Sequence, residues 1–385
     1  MVSTSARLPV TVVTGFLGAG KTTLLRHLLL HSGQRLAVLV NEFGDVGIDG
    51  DLIAACGFCP EEERSERVVE LTNGCLCCTV QEDFLPTMEQ LLERSDRLDG
   101  IVVETSGLAL PAPLVAAFGW PSIRPRVRVQ AVVTVVDGEA LAAGHVVGDA
   151  AAVEAQRRAD PSLDHIAALE DLFEDQLEAA DLVLVSRADR LDPGALDALL
   201  AGIAARARPG TGVLAMERGR IDPALVLDGP GGEPATTLHD HDHDHDSEPD
   251  HGHDHHDHGG DHHHDHSHHD HSHHDHSHAE ITSLLLRRQG RWDRATVEAW
   301  LRQLIRNQPI LRLKGRLLEP GKALPLQIQA VGPRLECWYE AAGATDSAQQ
   351  GLELVLLVPA SSAASLSDAL EPLPAEIAAS AAALG

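Results

Sequence analysis

The fold of this chain is decided by residues 15–22, which read Gly15-Phe16-Leu17-Gly18-Ala19-Gly20-Lys21-Thr22. The octapeptide matches the pattern G-x-x-x-x-G-K-[ST] at every position. It follows an apolar run at 9–14 and opens a helical pattern at 21–30, which is the context that this motif requires. The backbone N–H groups of such a loop and the helix N-terminus both favour phosphate oxygens. The sequence therefore predicts a nucleotide-binding loop rather than a chance glycine-rich turn.

Two polar side chains give this loop its chemistry. We expect Lys21 to reach the β- and γ-phosphates and Thr22 to ligate Mg²⁺. Further nucleotide contacts are expected from the loop backbone and the first helical turn. The whole set expected to bind the nucleotide here is Gly15, Gly18, Ala19, Gly20, Lys21, Thr22 and Thr23.

A second element, Glu104-Thr105-Ser106-Gly107, follows the apolar run at 100–103. An acidic residue at the end of a buried strand can hold the Mg²⁺ shell or orient the attacking water, and the Gly107 N–H can bond the γ-phosphate. Asp137 ends another apolar run and is a rival, although a residue in that place is more often a strand-end cap. Glu104 is preferred because a glycine stands at the fourth position of its segment. We predict Lys21, Glu104 and Gly107 as the catalytic residues.

Base recognition is expected from Ser186-Arg187-Ala188-Asp189, which follows an apolar run at 181–185 where an N-K-x-D guanine motif would lie. The Asp189 carboxylate can accept hydrogen bonds from guanine N1–H and N2–H₂, which adenine cannot supply. Arg187 can lay its stem or guanidinium plane on the base, as lysine would. Ser186 in place of Asn loses a longer side chain that braces such a loop. The segment favours guanine.

A thiol cluster, Cys75-Leu76-Cys77-Cys78, stands between the phosphate loop and the acidic segment. Thiolates are soft ligands suited to Zn²⁺, Co²⁺ or Cu⁺. Three thiols are one short of the usual closed tetrahedral set, and an open position is what a metal donor needs. Structural zinc and redox chemistry remain alternatives at this point.

Other candidate metal ligands carry weaker signals. Glu42, in Asn41-Glu42-Phe43-Gly44, is a candidate for Mg²⁺ or for the transferred metal, against a solvated loop carboxylate. Cys56 and Cys59 have C-x-x-C spacing, and we favour two plain loop thiols over an auxiliary site. Cys337 beside Trp338 is predicted to be a core residue.

Composition indicates three segments along the 385 residues. Residues 1–227 alternate continuously apolar strand patterns with helical patterns, which predicts a three-layer α/β domain with a mostly parallel sheet. Residues 228–279 hold 20 of the 24 histidines and have too little apolar surface to fold, so a disordered His/Asp-rich linker is expected. It can bind divalent ions weakly, as a reservoir, or be a solvated linker only. Residues 280–385 predict a smaller α+β domain.

The elements expected in the first segment are strands at 9–14, 35–40, 100–103, 127–136 and 181–185 and helices at 21–30, 81–94, 163–179 and 193–207. Those expected in the last segment are strands at 281–287, 310–315, 324–331 and 352–358 and a helix at 294–306.

The formal charge of −28 disfavours nucleic acid and anionic membranes as partners, because both require clustered lysine and arginine. Residues 1–7 lack the pattern of a signal peptide, and no apolar run approaches the ~20 residues of a membrane-spanning helix. We therefore expect a cytoplasmic protein whose six cysteines are thiols or metal ligands rather than disulfides.

Taken in order, the phosphate loop, residues 41–44, the thiol cluster and residues 104–111 closely resemble the CobW family of metallochaperone GTPases, in the SIMIBI class of P-loop proteins. Residues 70–79, 84–88 and 132–137 are similar to its cobalamin-biosynthesis branch. The resemblance continues in residues 312–315 and 329–333, and Ser186 and Arg187 depart from the family's guanine motif.

The resemblance implies GTP hydrolysis with Mg²⁺ and transfer of Co²⁺ to the cobaltochelatase that loads the corrin ring. Cys77 and Cys78 match the thiols that hold the carried metal, with Cys75 close by. The alternatives are a zinc chaperone or zinc-homeostasis GTPase, a His-rich storage protein, and a regulatory GTPase with structural zinc. Zn²⁺ binds such ligands more tightly than Co²⁺, so the ligands do not decide the metal. A homodimer is left open.

Overall fold

The computed structural model describes residues 7–40, 68–70, 84–159, 168–228, 280–340, 351–371 and 373–376. Within these ranges the chain forms two sheets. The first has seven parallel strands in the order β3-β2-β4-β1-β5-β6-β7. Its strands are β1 (Leu8–Thr14), β2 (Leu36–Val40), β3 (Val68–Glu70), β4 (Gly100–Glu104), β5 (Val127–Asp137), β6 (Leu182–Ser186) and β7 (Gly212–Ala215).

Eight helices accompany this sheet in the described ranges. They are α1 (Lys21–His31), α2 (Leu85–Glu93), α3 (Pro111–Ala117), α4 (Gly138–Ala142), α5 (Ala150–Ala159), α6 (Leu169–Ala179), α7 (Pro193–Arg206) and α8 (Pro223–Val226). Short 3₁₀ turns occupy Ser95–Arg97 and Ala188–Arg190. No helix in the described part of the chain is long and apolar enough to cross a membrane.

The strands of the first sheet are buried on both faces because helices cover both. Every residue of β4, β5 and β6 is buried. Leucines of α1 pack on one face against alternate residues of β5 and β6. Side chains of α2 and α3 pack on the other face, and α6 packs beside them. The predicted three-layer α/β architecture is confirmed. The predicted helices at 81–94 and 163–179 correspond to α2 and α6. Residues 81–83 and 163–167 of these predicted helices lie outside the described ranges.

The second sheet has five antiparallel strands in the order β11-β10-β9-β12-β8. They are β8 (Ile281–Gln289), β9 (Arg312–Leu318), β10 (Leu326–Val331), β11 (Arg334–Tyr339) and β12 (Gly351–Pro359). The buried face of α9 (Arg294–Asn307) covers it, and α10 (Ala363–Leu370) packs on the same core. The predicted α+β fold of this region is confirmed.

The sequence patterns missed three strands. β3 and β7 are only three and four residues long, so their apolar runs are too short to stand out. β11 was missed although Leu335, Cys337 and Tyr339 occupy alternate positions and pack against the core of the second sheet. The strands predicted at 310–315 and 324–331 begin two residues later, at Arg312 and Leu326.

Candidate nucleotide-binding site

The phosphate loop lies at the carboxyl end of β1 and leads into α1. Gly15, Gly18 and Gly20 have φ of 130°, 78° and 107°, a region that L side chains rarely adopt. Space is restricted as well, because a Cβ at Gly15 would lie 2.0 Å from the carbonyl oxygen of Val135. The glycines of the motif are therefore required by the backbone path of the loop, as the sequence pattern predicted.

Lys21, Thr22 and Glu104 come together at this loop. Lys21 is 6% exposed and Glu104 is 2% exposed, and the Lys21 Nζ lies 3.9 Å from Glu104 Oε1. Lys21 also donates to the Phe16 carbonyl at 3.2 Å. The Thr22 hydroxyl donates to the same Glu104 oxygen at 3.2 Å. Residues that were predicted from two separate motifs thus share one site.

Asp137, the rival acidic residue, is occupied elsewhere. Its carboxylate caps α4 by accepting hydrogen bonds from the backbone N–H groups of Glu139 and Ala140, at 3.1 and 3.2 Å. It also forms an ion pair with Arg187. The structure therefore agrees with the interpretation of Asp137 as a strand-end cap.

The segment after Glu104 packs directly on the phosphate loop. A Cβ at Gly107 would lie 2.5 Å from the backbone nitrogen of Leu17, so only glycine permits this approach. The Thr105 hydroxyl donates to Thr14 Oγ1 at 2.9 Å. A change at the loop can therefore reach residues 104–107 through direct contact.

Two buried glutamines donate hydrogen bonds to the same segment. Gln156 of α5 donates to Ser106 Oγ and Gln176 of α6 donates to the Gly107 carbonyl, each at 3.4 Å. Among the described residues, the side-chain carbonyl of neither glutamine has a hydrogen-bond partner. Burial of an amide costs free energy unless its polar atoms are hydrogen-bonded. The role of these two glutamines is therefore to hydrogen-bond this segment, since apolar side chains would fill the same space at a lower cost. The sequence patterns did not single them out.

A cleft of about 400 Å³ opens beside the phosphate loop at the same end of the sheet. It joins the loop to the segments that follow β6 and β7. Its lining residues are Gly18, Ala19, Gly20, Thr23, Ser186, Arg187, Asp189, Arg190, Met216, Arg218 and Gly219. The predicted base-recognition segment therefore lies next to the predicted phosphate loop, at the carboxyl ends of parallel strands where such folds bind ligands.

Arg187 ties these two segments together. Its guanidinium donates to the Gly18 carbonyl at 3.1 Å and is paired with Asp137. The guanidinium is thus engaged with protein, which leaves the aliphatic stem for the base. Ser186 Oγ donates to the Val136 carbonyl at 3.1 Å, so the serine braces the segment against the neighbouring strand β5. Asp189 is exposed, and among the described residues its carboxylate has no ion pair.

The turn that follows β7 was missed by the sequence analysis. Met216, Arg218 and Gly219 line the cleft, but their strand is four residues long and the turn matches no nucleotide motif. The signal that could have found them is topological. Once β7 is placed beside β6 in a parallel sheet, the two following turns must lie at the same edge.

The predicted metal ligands other than Thr22 lie outside the described residues. These are Glu42, Cys75, Cys77 and Cys78, together with Cys56, Cys59 and residues 229–279 of the His/Asp-rich segment, whose first residue, Asp228, is described and buried. Within the described ranges, no three His, Cys, Asp or Glu side chains are grouped to hold a metal ion. Cys337 packs against the core of the second sheet. Burial, with Glu298 nearby, raises the pKa of its thiol to about 12.

Comparison with known proteins covers most of the chain. Residues 9–214 match the family model described as the CobW/HypB/UreG nucleotide-binding domain, and residues 281–373 match the cobalamin synthesis protein CobW C-terminal domain. A protein of Pseudomonas aeruginosa named zinc chaperone CobW is 46% identical over 90% of this chain and 87% of its own length. A protein of Sinorhizobium sp. with the same name is 40% identical over 91% and 92%. The zinc-regulated GTPase metalloprotein activator 1 of Schizosaccharomyces pombe is 44% identical over 35% of this chain and 33% of its own.

Proposed function

Because this chain belongs to the CobW family of P-loop metallochaperone GTPases, we propose that it carries Zn²⁺ at Cys75, Cys77 and Cys78 under the control of bound GTP. The observation that carries the GTP side of this proposal is the contact among Lys21, Thr22 and Glu104. Zinc is favoured because the two relatives matched over most of their length are named zinc chaperones.

Mg²⁺ fits the residues at the phosphate loop. This ion prefers oxygen ligands in near-octahedral geometry, and Thr22 Oγ1 and Glu104 Oε1 are two oxygens 3.2 Å apart. We expect Thr22 to bind the ion directly and Glu104 to bind it or its water. When bound, Mg²⁺ neutralises charge on the phosphate oxygens. Lys21 then holds the β- and γ-phosphates, and Gly107 supplies a backbone N–H.

Strand order supports a route from nucleotide to metal. Glu70 ends β3 and pairs with Val40 of β2, and Val40 pairs in turn with Glu104 of β4. The chain therefore leaves β3 at the same sheet edge as Glu104, five residues before Cys75. In our proposal, residues 104–107 hold one conformation with GTP and another with GDP. The thiols bind metal more tightly in the GTP conformation than in the GDP conformation. Such coupling amounts to about 5- to 150-fold in affinity.

The test is a competitive titration of Zn²⁺ and Co²⁺ into protein with Mg·GTP, Mg·GDP or no nucleotide. We expect one tight equivalent of metal with Mg·GTP and weaker binding in the other two states. Equal affinity in all three states would contradict the coupling. The variant Cys77→Ala/Cys78→Ala should lose this equivalent while it still hydrolyses GTP. Misfolding of that variant would instead support a structural zinc.

Deletion of residues 239–278 separates the chaperone from a storage protein. A chaperone keeps its one tight equivalent after the deletion, because the thiols remain. A storage protein loses most of its bound metal. The segment contains 20 histidines, so its weak sites are expected to disappear in either case.

Cobalt is the second candidate cargo, favoured by the similarity of residues 70–79, 84–88 and 132–137 to the cobalamin branch. In that case the metal-receiving partner is the cobaltochelatase. The same titration decides, because a cobalt carrier must gain affinity for Co²⁺ relative to Zn²⁺ when GTP binds. We also propose a cytoplasmic location and a division into residues 1–227, 228–279 and 280–385. Size-exclusion chromatography with light scattering tests the homodimer.

A further inference from the structure

The nucleotide cleft contains two arginines with the same unusual backbone conformation. Arg187 has φ of 54° and Arg218 has φ of 49°, and no other non-glycine residue in the described ranges has a positive φ. This conformation is unfavourable for an L residue, and at Arg218 it is held by a tight turn that the Arg220 N–H closes by donating to the Glu217 carbonyl at 2.8 Å. Both arginines line the cleft. The strained positions and the cleft therefore coincide.

The two arginines reach the cleft from different sides. Arg187 follows β6, and its guanidinium is drawn towards β5 and the phosphate loop by Asp137 and the Gly18 carbonyl. Arg218 follows β7, which lies on the other side of β6. The turn that carries it is seated against α1, because a Cβ at Gly219 would lie 2.7 Å from Thr23 Cγ2. Asp189 lines the same cleft as the two arginines.

The two arginine side chains also differ in their contacts with the protein. The Arg187 guanidinium is bound to protein, whereas Arg218 is exposed and has no ion pair within the described part of the chain. A free guanidinium is planar and stacks on aromatic faces. We propose that Arg218 binds the purine ring of the nucleotide on the β7 side, opposite the stem of Arg187. This proposal rests on the nucleotide site proposed above and adds to it a residue that no motif identified.

The test uses Arg218→Gly in the full-length protein, with Arg220→Ala as the matched control. Arg220 is exposed, two residues away, and does not line the cleft. Glycine adopts a positive φ without steric cost, so Arg218→Gly should melt no lower than wild type without nucleotide. We expect fluorescent GTP and GDP each to bind about 3- to 30-fold more weakly to Arg218→Gly. Arg220→Ala should bind both like wild type.

The pattern of losses decides what Arg218 contacts. Contact with the purine predicts the same fold-loss for GTP and GDP, because both carry the same base. A larger loss for GTP than for GDP would indicate a phosphate contact and overturn the proposal, as would unchanged affinity for both. Wild-type protein that binds neither nucleotide would instead contradict the nucleotide site itself, and this inference with it.

Discussion

At the carboxyl end of the seven-stranded sheet several charged side chains border an open cleft, whereas at its amino end a charged cluster is buried between two sheets. Asp228 there is paired with Arg128 at the start of β5 and with Arg312 and Lys314 of β9. At the carboxyl end, Arg187, Asp189 and Arg218 surround about 400 Å³ of open space.

The backbone also differs between the two ends, because both arginines with a positive φ lie at the carboxyl end. At the amino end Asp181 accepts hydrogen bonds from the Val132 N–H and from Arg208, both at 2.8 Å, and pairs with Arg334 of β11. One end therefore keeps charges available for a ligand, and the other uses them to attach the second sheet. Changes at the two ends should accordingly affect different properties.

The largest expected effect is at the amino end. Asp228→Ala leaves Arg312 buried without its carboxylate and Arg128 with Glu336 alone, 3.9 Å away, which should lower the free energy of unfolding by about 3–5 kcal/mol. Urea unfolding measures this. The control is Glu154→Ala, which removes a pair whose Arg158 and Glu154 side chains are 77% and 50% exposed and should cost under about 1 kcal/mol. Equal effects of the two variants would remove the distinction between the ends.

The same cluster predicts a pH dependence. Burial by itself raises the pKa of Asp228, but Lys314, Arg312 and Arg128 outweigh it, and the pKa lies well below its usual range. A depressed pKa contributes stability above the unfolded-state pKa of about 3.9. That contribution is lost as the pH falls below this value towards the folded-state pKa. Wild type should therefore lose stability over this range more steeply than Asp228→Ala, and parallel curves would contradict the assignment.

At the carboxyl end, the main effect of Lys21→Ala should be on catalysis, although Glu104 stays buried without this cation. Loss of a buried cation from the phosphate site is expected to lower kcat for GTP by about 10²- to 10³-fold. Steady-state phosphate release measures it. Lys322→Ala is the control, because that side chain lies over Tyr339 in the second sheet, with its Nζ 5.5 Å from the ring centroid. A Lys21→Ala enzyme within a few-fold of wild type would mean that the site is not the one that hydrolyses GTP.

A smaller effect is expected for Gln176→Leu, which replaces a fully buried amide by an apolar side chain of similar size. The Gly107 carbonyl loses its hydrogen bond, so residues 104–107 should be held less well. We expect kcat to fall about 5- to 10-fold, as for one hydrogen bond of ~1 kcal/mol, with KM unchanged. A rise in KM alone would indicate an effect on binding instead.

The smallest effect is expected at Cys337, which belongs to neither end. With a thiol pKa of about 12, it should not react with thiol reagents at pH 8 unless the protein is unfolded, because the thiolate is the nucleophile. A variant with serine at the other five cysteines isolates its signal. Rapid labelling in the folded state would show that the thiol is not buried as described.

The sequence predicted the carboxyl end far better than the amino end, for a physical reason. The phosphate loop, Glu104 with Gly107, and Arg187 with Asp189 are each read from a few adjacent residues. The partners at the amino end are distant in sequence, since Arg128 and Asp228 are 100 residues apart and Asp181 and Arg334 are 153 apart. Such pairs cannot be assigned until the strands are ordered.

The position of Arg218 in the cleft could not be predicted from the sequence for a related reason. Nothing in its own segment distinguishes it, and its place depends on β7 lying beside β6. The predicted metal site is the opposite case, because its residues are clear in the sequence but lie outside the described ranges. Cys75, Cys77 and Cys78 were conspicuous in the sequence, and their role stays a prediction.

The measurement that tests the guanine site most directly is nucleotide preference in Asp189→Asn. Asparagine offers an N–H₂ where aspartate accepts, so it should pair with the C2 carbonyl of xanthine and no longer with the C2 amino group of guanine. We predict that kcat/KM for GTP falls about 10²-fold or more, while that for xanthosine triphosphate rises above it. Retention of the GTP preference in a folded Asp189→Asn protein would contradict the account.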